Sequence, residues 1–255
     1  MRTTAVLNLK GGVAKTTTVI SMAAILAKDY DAKVLVVDAD SQCNTSEFLG
    51  EDKIRVGTLA DGLRRGDEYM FAHPTSIHGV DLLPADDSLM DADLSAIKSE
   101  GLFTECLALF KAEHRSDYDY MLIDCPPAFN AATAAALLAA DDVVIPIKLD
   151  AFSLRGMGNL IRQISNMRKL NPDLKVAGLL PTMCYSSPTI RESLNILLTS
   201  EFHVFPRIRR TAKVDDMTFA QAPITISSPR SAAAVDYKRF VAAYVKNPEV
   251  DYHGV

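Results

Sequence analysis

The chain has 255 residues, 48% hydrophobic and 23% charged, a balance that excludes a disordered or fibrous chain and allows a large core. A net charge of −5 excludes a globally basic nucleic-acid binder, yet the charge is uneven: residues 1–150 carry 13 basic and 24 acidic side chains, residues 151–255 carry 14 and 8. No apolar run reaches membrane-spanning length, no charged-then-apolar leader opens the chain, and Cys43, Cys106, Cys125 and Cys184 form no CxxC pair, so a reducing cytoplasm without zinc or disulfides is expected.

The apolar run at residues 4–7 predicts a buried strand, with no N-terminal DNA-binding domain expected before it. Residues 18–28 predict a helix, with Val19, Met22, Ala23 and Leu26 at helical spacing. Between them runs Asn8-Leu9-Lys10-Gly11-Gly12-Val13-Ala14-Lys15-Thr16-Thr17. Two adjacent glycines let the backbone fold tightly around an anion, and the helix that follows offers it unpaired N–H groups and a positive dipole end. Lys15 then supplies a point charge to the β and γ phosphates, and the Thr16 hydroxyl a ligand to Mg²⁺.

Residues 33–38 form a nearly continuous apolar run ending in Asp38, the pattern of a central parallel strand. Residues 39–50 read as a polar loop leading into a short helix. A helix is expected over 58–65, a strand over 78–84 and partial helix over 86–97. Residues 101–114 predict a helix with Leu102, Cys106, Leu109 and Phe110 on one face. Residues 118–124 predict a second acid-ended strand, followed by an alanine-rich helix at 131–140. Strands are expected at 142–147, 176–182 and 203–208, and helices at 154–170, 188–202 and 231–246. In the last helix Val235, Phe240, Val241 and Tyr244 are the packing positions. Strands alternating with helices in this way make an α/β fold, a doubly wound and mainly parallel sheet. Ligands on such sheets bind beyond the carboxyl ends of the strands, where the glycine loop, Asp38, Asp40 and Asp124 all fall.

Asp124 ends Leu-Ile-Asp-Cys-Pro-Pro, a pattern in which the carboxylate orients Mg²⁺. Taken alone, a strand-ending Asp caps a following helix at least as often; beside the glycine loop the metal reading is preferred. Asp40 has the same second reading, as an N-cap for the segment near Ser41.

The glycine loop lacks the Gly that an ordinary P-loop has at Leu9 and Ala14, and instead fits Lys-Gly-Gly-x-x-Lys-Thr, with Lys10 as an extra lysine. On this motif, on Asp38-Ala-Asp40-Ser-Gln-Cys and on Asp124-Cys-Pro126-Pro127, the chain resembles the deviant Walker A family of partition and positioning ATPases, the ParA/MinD group, nearest its small Soj-like members. The resemblance implies a single P-loop NTPase domain of SIMIBI type over 1–255, with ATP and Mg²⁺ as cofactors. Gly11, Gly12, Val13, Ala14, Lys15, Thr16 and Thr17 would hold the phosphates, and Lys10 would reach the partner's nucleotide across an ATP-dependent homodimer. Thr16, Asp38 and Asp124 would surround the metal, and Asp40 would position the attacking water. Thr182, Met183 and Pro206 would hold the adenine. Ala14, Ser41 and Cys43 stand where the family usually has Gly, Pro and Gly.

Arg207, Arg209, Arg210 and Lys213 lie within seven positions, and Arg162, Arg168 and Lys169 on or near one helix. With the family resemblance, these cations imply contact with DNA without regard to its sequence, and a ParB-like protein as stimulating partner. Two other classes share the fold. A MinD-like membrane switch needs a basic amphipathic C-terminal helix, whereas the tail after Lys246 is short, acidic and broken by Pro248. A metabolic amidoligase or reductase needs a further substrate pocket or a cysteine-held cluster, and no such motif is found.

Overall fold

The computed structural model describes residues 1–50, 56–91 and 103–246. Among the described residues seven strands form one sheet. They are β1 (Arg2–Val6), β2 (Val34–Asp38), β3 (His73–Pro74), β4 (Val80–Leu83), β5 (Tyr120–Asp124), β6 (Asp142–Lys148) and β7 (Lys175–Thr182). Their order is β3-β4-β2-β5-β1-β6-β7, parallel throughout except for the short β3–β4 pair.

The sheet is covered on both faces, and the strand period of two shows in how the core divides. Leu35, Val37, Met121, Ile123, Val143 and Ile145 point to one face. Val34, Val36, Leu122 and Val144 point to the other. On the first face lie α3 (Leu59–Arg65), α4 (Cys106–Glu113), α5 (Ala131–Ala139), α6 (Ala151–Met167) and α7 (Pro188–Leu198). On the second lie α1 (Lys15–Tyr30), α2 (Asn44–Leu49), α8 (Lys213–Ala220), α9 (Ile224–Ser227) and α10 (Ala232–Lys246). Each wholly buried Val or Leu contributes roughly 1.5–3 kcal/mol, so strands such as Val34–Val37 anchor the fold from both sides. The helix α10 is tied down polarly as well: the buried Tyr244 hydroxyl meets Thr4, and the Arg2 guanidinium lies 3.9 Å from the Tyr244 ring while pairing with Asp142.

Most expected elements are present with shifted ends. Thr58 caps α3 through a reciprocal capping box with Asp61, which sets the start of that helix. The segment at 203–208 is not a regular strand; Val204 makes an isolated parallel bridge to Leu179, and Arg209, just past the segment, another to Cys184. The helices α8 and α9 and the strand β3 were not expected: they are short, and their apolar residues show no sustained period. Leu109 does not share the packing face of Cys106 and Phe110; it is 50% exposed where they are buried. The expected helix at 92–97, the start of the helix at 101–102 with Leu102, and the acidic tail at 247–255 lie outside the described residues.

Candidate functional site

Parallel register builds the site. β5 sits between β1 and β2, and Asp124 is the register partner of both Val6 and Asp38. The carboxyl ends of three neighbouring strands thus deliver the glycine loop, Asp38 and Asp124 to one place.

The loop is held from several sides. The Asn8 side-chain amide donates to the Pro146 carbonyl at 2.7 Å, and its oxygen accepts the Lys10 N–H at 2.9 Å. The Thr182 hydroxyl donates to the Val13 carbonyl at 3.0 Å. Gly11 and Gly12 are exposed, and a Cβ on either would meet nothing within 4 Å, so open space faces them. Gly12 has φ 69°, a conformation that suits glycine. Ala14 is also left-handed, at φ 68°, and leads into α1 with no side-chain cap. The first N–H groups of α1 therefore have no side-chain acceptor from the residue before them, which suits them to an anion.

Lys15 is only 7% exposed, and its amine lies 3.4 Å from the Lys10 carbonyl. Burial lowers its pKa, and the nearby Asp124 opposes that shift. Asp38 and Asp124 are both buried. Asp38 Oδ1 accepts the Asp40 N–H at 3.1 Å; Oδ2 accepts the Ser46 N–H at 2.8 Å and the Ser46 hydroxyl at 2.7 Å. Asp124 Oδ2 accepts hydroxyls from Thr16 and Thr45, both at 2.6 Å. Burial, and then the charge of Asp124, pushes Asp38 up to about 7. Burial pushes Asp124 up to about 6, against the two hydroxyl bonds.

Asp124 Oδ1 is buried and has no hydrogen-bond partner among the described residues. A buried carboxylate oxygen without a partner is costly, and a hard cation beside Thr16, Asp38 and Asp124 would satisfy it. Among the described residues no group of three or more His, Cys, Asp or Glu could hold a metal.

Lys10 does not extend away from its own chain here. Its amine pairs with both carboxylate oxygens of Asp150, at 2.8 and 2.7 Å. Asp40 closes a turn: its carboxylate accepts the Gln42 N–H at 3.0 Å, and its carbonyl accepts the Cys43 N–H at 2.9 Å. The residue preceding α2 is Cys43, left-handed at φ 56°, so Asp40 is not the cap of that helix.

Beside the loop lies a cavity of about 430 Å³, lined by Ala14, Thr17, Thr182, Met183, Ile208 and Tyr237, among others. Two of the expected base contacts, Thr182 and Met183, are in its wall. Pro206 is not: Phe205 and Ile208 hydrogen-bond to β7 and turn inward, leaving Pro206 exposed between them. The four clustered cations differ in what they touch. Arg209 grips the buried Asp236 of α10 through its backbone N–H at 3.0 Å and its guanidinium at 2.7 and 2.9 Å. Lys213 pairs with Asp216 at 2.8 Å, while Arg207 and Arg210 are exposed.

Three residues at the site escaped the sequence reading. Thr45 and Ser46 follow the acidic loop directly, and their hydroxyls were the available signal. Asp150 is 140 positions from Lys10, and nothing in the sequence pairs them.

The AAA domain family matches residues 1–176. The sporulation initiation inhibitor protein Soj of Bacillus subtilis is 31% identical over 243 residues, 91% of this chain and 94% of Soj. The chromosome partitioning protein ParA of Caulobacter vibrioides is 37% identical over 194 residues, 72% of this chain and 70% of that protein. Among solved structures, cobyrinic acid a,c-diamide synthase from Mycobacterium smegmatis, with bound ATP analog and magnesium, is 32% identical with a TM-score of 0.81 and covers 96% of this chain and 94% of that one. The chain belongs to the ParA/Soj family of partitioning P-loop ATPases.

Proposed function

We infer that this chain is an ATP-driven switch for partition or positioning, one that pairs with a second copy of itself on ATP and binds DNA without sequence preference. The observation that carries the reading is the buried Asp38–Asp124 pair, with Asp124 Oδ1 left unpartnered beside an open, lysine-flanked glycine loop. In this reading the loop amides and Lys15 bind the triphosphate, and Thr16, Asp38 and Asp124 hold Mg²⁺. When bound, Mg²⁺ supplies positive charge to the phosphate oxygens. Asp40, half-buried on the turn after β2, orients the attacking water. Lys10 leaves Asp150 and neutralises charge on the nucleotide of the second copy, so bound ATP becomes part of the interface and hydrolysis dissolves it.

The exposed Arg207 and Arg210 are the DNA contacts this reading favours, because dimerisation duplicates them and doubles the phosphate contacts. A ParB-like protein is the stimulating partner, and the cytoplasm, with the nucleoid when ATP is bound, is the location. No helix among the described residues is long and apolar enough to cross a membrane.

Sedimentation of Asp40→Ala with and without ATP tests the switch: a dimer with ATP and a monomer without it is expected, lost in Lys10→Ala and Lys15→Ala. A chain that stays monomeric in both conditions ends the proposal. A gel shift on random-sequence DNA should show ATP-dependent, salt-sensitive retardation. Hydrolysis that instead requires an acid substrate and an amide donor would favour the ligase chemistry named for the Mycobacterium smegmatis protein.

A further inference from the structure

Two neighbouring residues of α2 serve the two buried carboxylates separately. Thr45 donates to Asp124 Oδ2 at 2.6 Å, and Ser46 donates to Asp38 Oδ2 at 2.7 Å through its hydroxyl and 2.8 Å through its N–H. Asp38 and Asp124 are register partners on adjacent strands, so α2 lies across both strand ends at once. Ser46 is held from a third side as well, its oxygen accepting the Ala85 N–H at 2.9 Å while its hydroxyl donates to Asp38. Thr45 is wholly buried and shares Asp124 Oδ2 with Thr16, so both hydroxyls crowd one oxygen while Oδ1 has none.

The consequence is directional. A carboxylate whose Oδ2 is held by two hydroxyls cannot rotate freely about its terminal torsion, so the position of Oδ1 is set by the same two bonds. The six residues from Ala39 to Asn44 join these anchors and carry Asp40. They are tied at their start as well, by Ala39 N–H to the Asp124 carbonyl at 2.9 Å and Asp40 N–H to Asp38 Oδ1. No second helix among the described residues donates side-chain hydroxyls to both carboxylates.

We propose that Thr45 and Ser46 are positioning residues that aim Asp124 Oδ1 and Asp38 at the divalent cation, and that α2 thereby sets the turn bearing Asp40. This rests on the nucleotide reading above. Partners that orient metal-side ligands characteristically change metal affinity by about 10–100-fold when removed.

The test is ADP binding by calorimetry, in excess chelator and in excess Mg²⁺, for the wild-type chain, Thr45→Val, Thr45→Ser and Ser46→Ala. Wild type should bind ADP more tightly with Mg²⁺. Thr45→Val should keep the chelator affinity and lose at least about tenfold of the Mg²⁺ response. Thr45→Ser, which keeps the hydroxyl, should recover it, a rescue that loss of packing alone would not produce. If Thr45→Val fails to fold, Ser46→Ala carries the comparison at Asp38. A wild-type Mg²⁺ response in both Thr45→Val and Ser46→Ala overturns the clamp alone. A wild-type chain that binds no ADP in either condition overturns the nucleotide reading, and the clamp with it.

Discussion

Lys10 Nζ lies 2.7 and 2.8 Å from the two carboxylate oxygens of Asp150, a residue just beyond the end of β6. Lys10, which the proposed function places across a dimer, is therefore engaged within its own subunit. The side chains are 37% and 29% exposed, so water screens the pair and its strength is that of a surface bridge, about 0–1 kcal/mol. That is weak enough for a partner's triphosphate to break and strong enough to bias the equilibrium. Asp150→Ala is expected to lower the ATP concentration needed for dimerisation by up to about fivefold, the equivalent of such a pair. Sedimentation equilibrium across an ATP series would read this, and an unchanged midpoint would show that Asp150 does not compete for Lys10.

The carboxylate pair predicts a pH dependence of the nucleotide-free chain. Asp38 and Asp124 bind protons more tightly folded than unfolded, with values near 7 and 6 against an ordinary aspartate near 4. Between about pH 4 and 7 the folded state holds protons that the unfolded state has released, so stability falls as pH rises through that window and then levels off. Thermal melts without nucleotide or divalent cation should therefore show a melting temperature that declines from pH 5 to pH 8. Asp124→Asn removes one charge of the pair, and its melting curve should depend less on pH and lie above the wild type at pH 8. A wild-type melting temperature that rises over this range contradicts the assignment.

The sheet was legible because its strands are unusually plain. Val34–Val37 and Met121–Ile123 are unbroken apolar runs ending in an acid, which the two-sided burial of a parallel sheet requires. The meeting of the glycine loop with Asp38 and Asp124 follows from the same rule, since all three stand at the carboxyl ends of neighbouring strands. What was not legible depends on distance in sequence. Thr45 and Asp124 are 79 positions apart, and Lys10 and Asp150 are 140 apart. Only the folded register brings such pairs together. Along 203–208 the inward residues are Phe205 and Ile208, three positions apart, so this irregular segment follows no strand period that would place Pro206 from the sequence.

The cation cluster separates by the same argument. Arg209 holds Asp236, an aspartate only 3% exposed on α10, so Arg209→Ala strips a buried carboxylate of its main partner. Its melting temperature should fall, and any loss of DNA binding should track the loss of fold. Arg207→Ala and Arg210→Ala should melt as the wild type does and weaken ATP-dependent DNA retardation, each reducing the salt slope by about one phosphate contact per subunit. Equal melting temperatures in all three variants would show that the Asp236 pair adds no stability.

Two residues that stand where the sequence pattern usually has glycine adopt a backbone that favours glycine. Ala14 sits at φ 68° and Cys43 at φ 56°, both left-handed, one at the entry to α1 and the other at the entry to α2. A side chain in that region costs roughly 1–2 kcal/mol against its preferred conformations. Glycine adopts it freely but costs roughly 0.5–1 kcal/mol in the extra freedom of the unfolded chain. The two terms nearly cancel, with the balance in favour of glycine, so Ala14→Gly and Cys43→Gly should each leave stability unchanged or raise it by up to about 1 kcal/mol. Glycine placed at a right-handed position would instead lose about that amount. Denaturant melts of both single variants distinguish the cases, and a loss of about 1 kcal/mol in either would show that its residue is not left-handed in solution. Ala14→Gly also removes a methyl group from the residue directly before Lys15 and frees its backbone, so its hydrolysis rate at saturating ATP should exceed that of the wild-type chain.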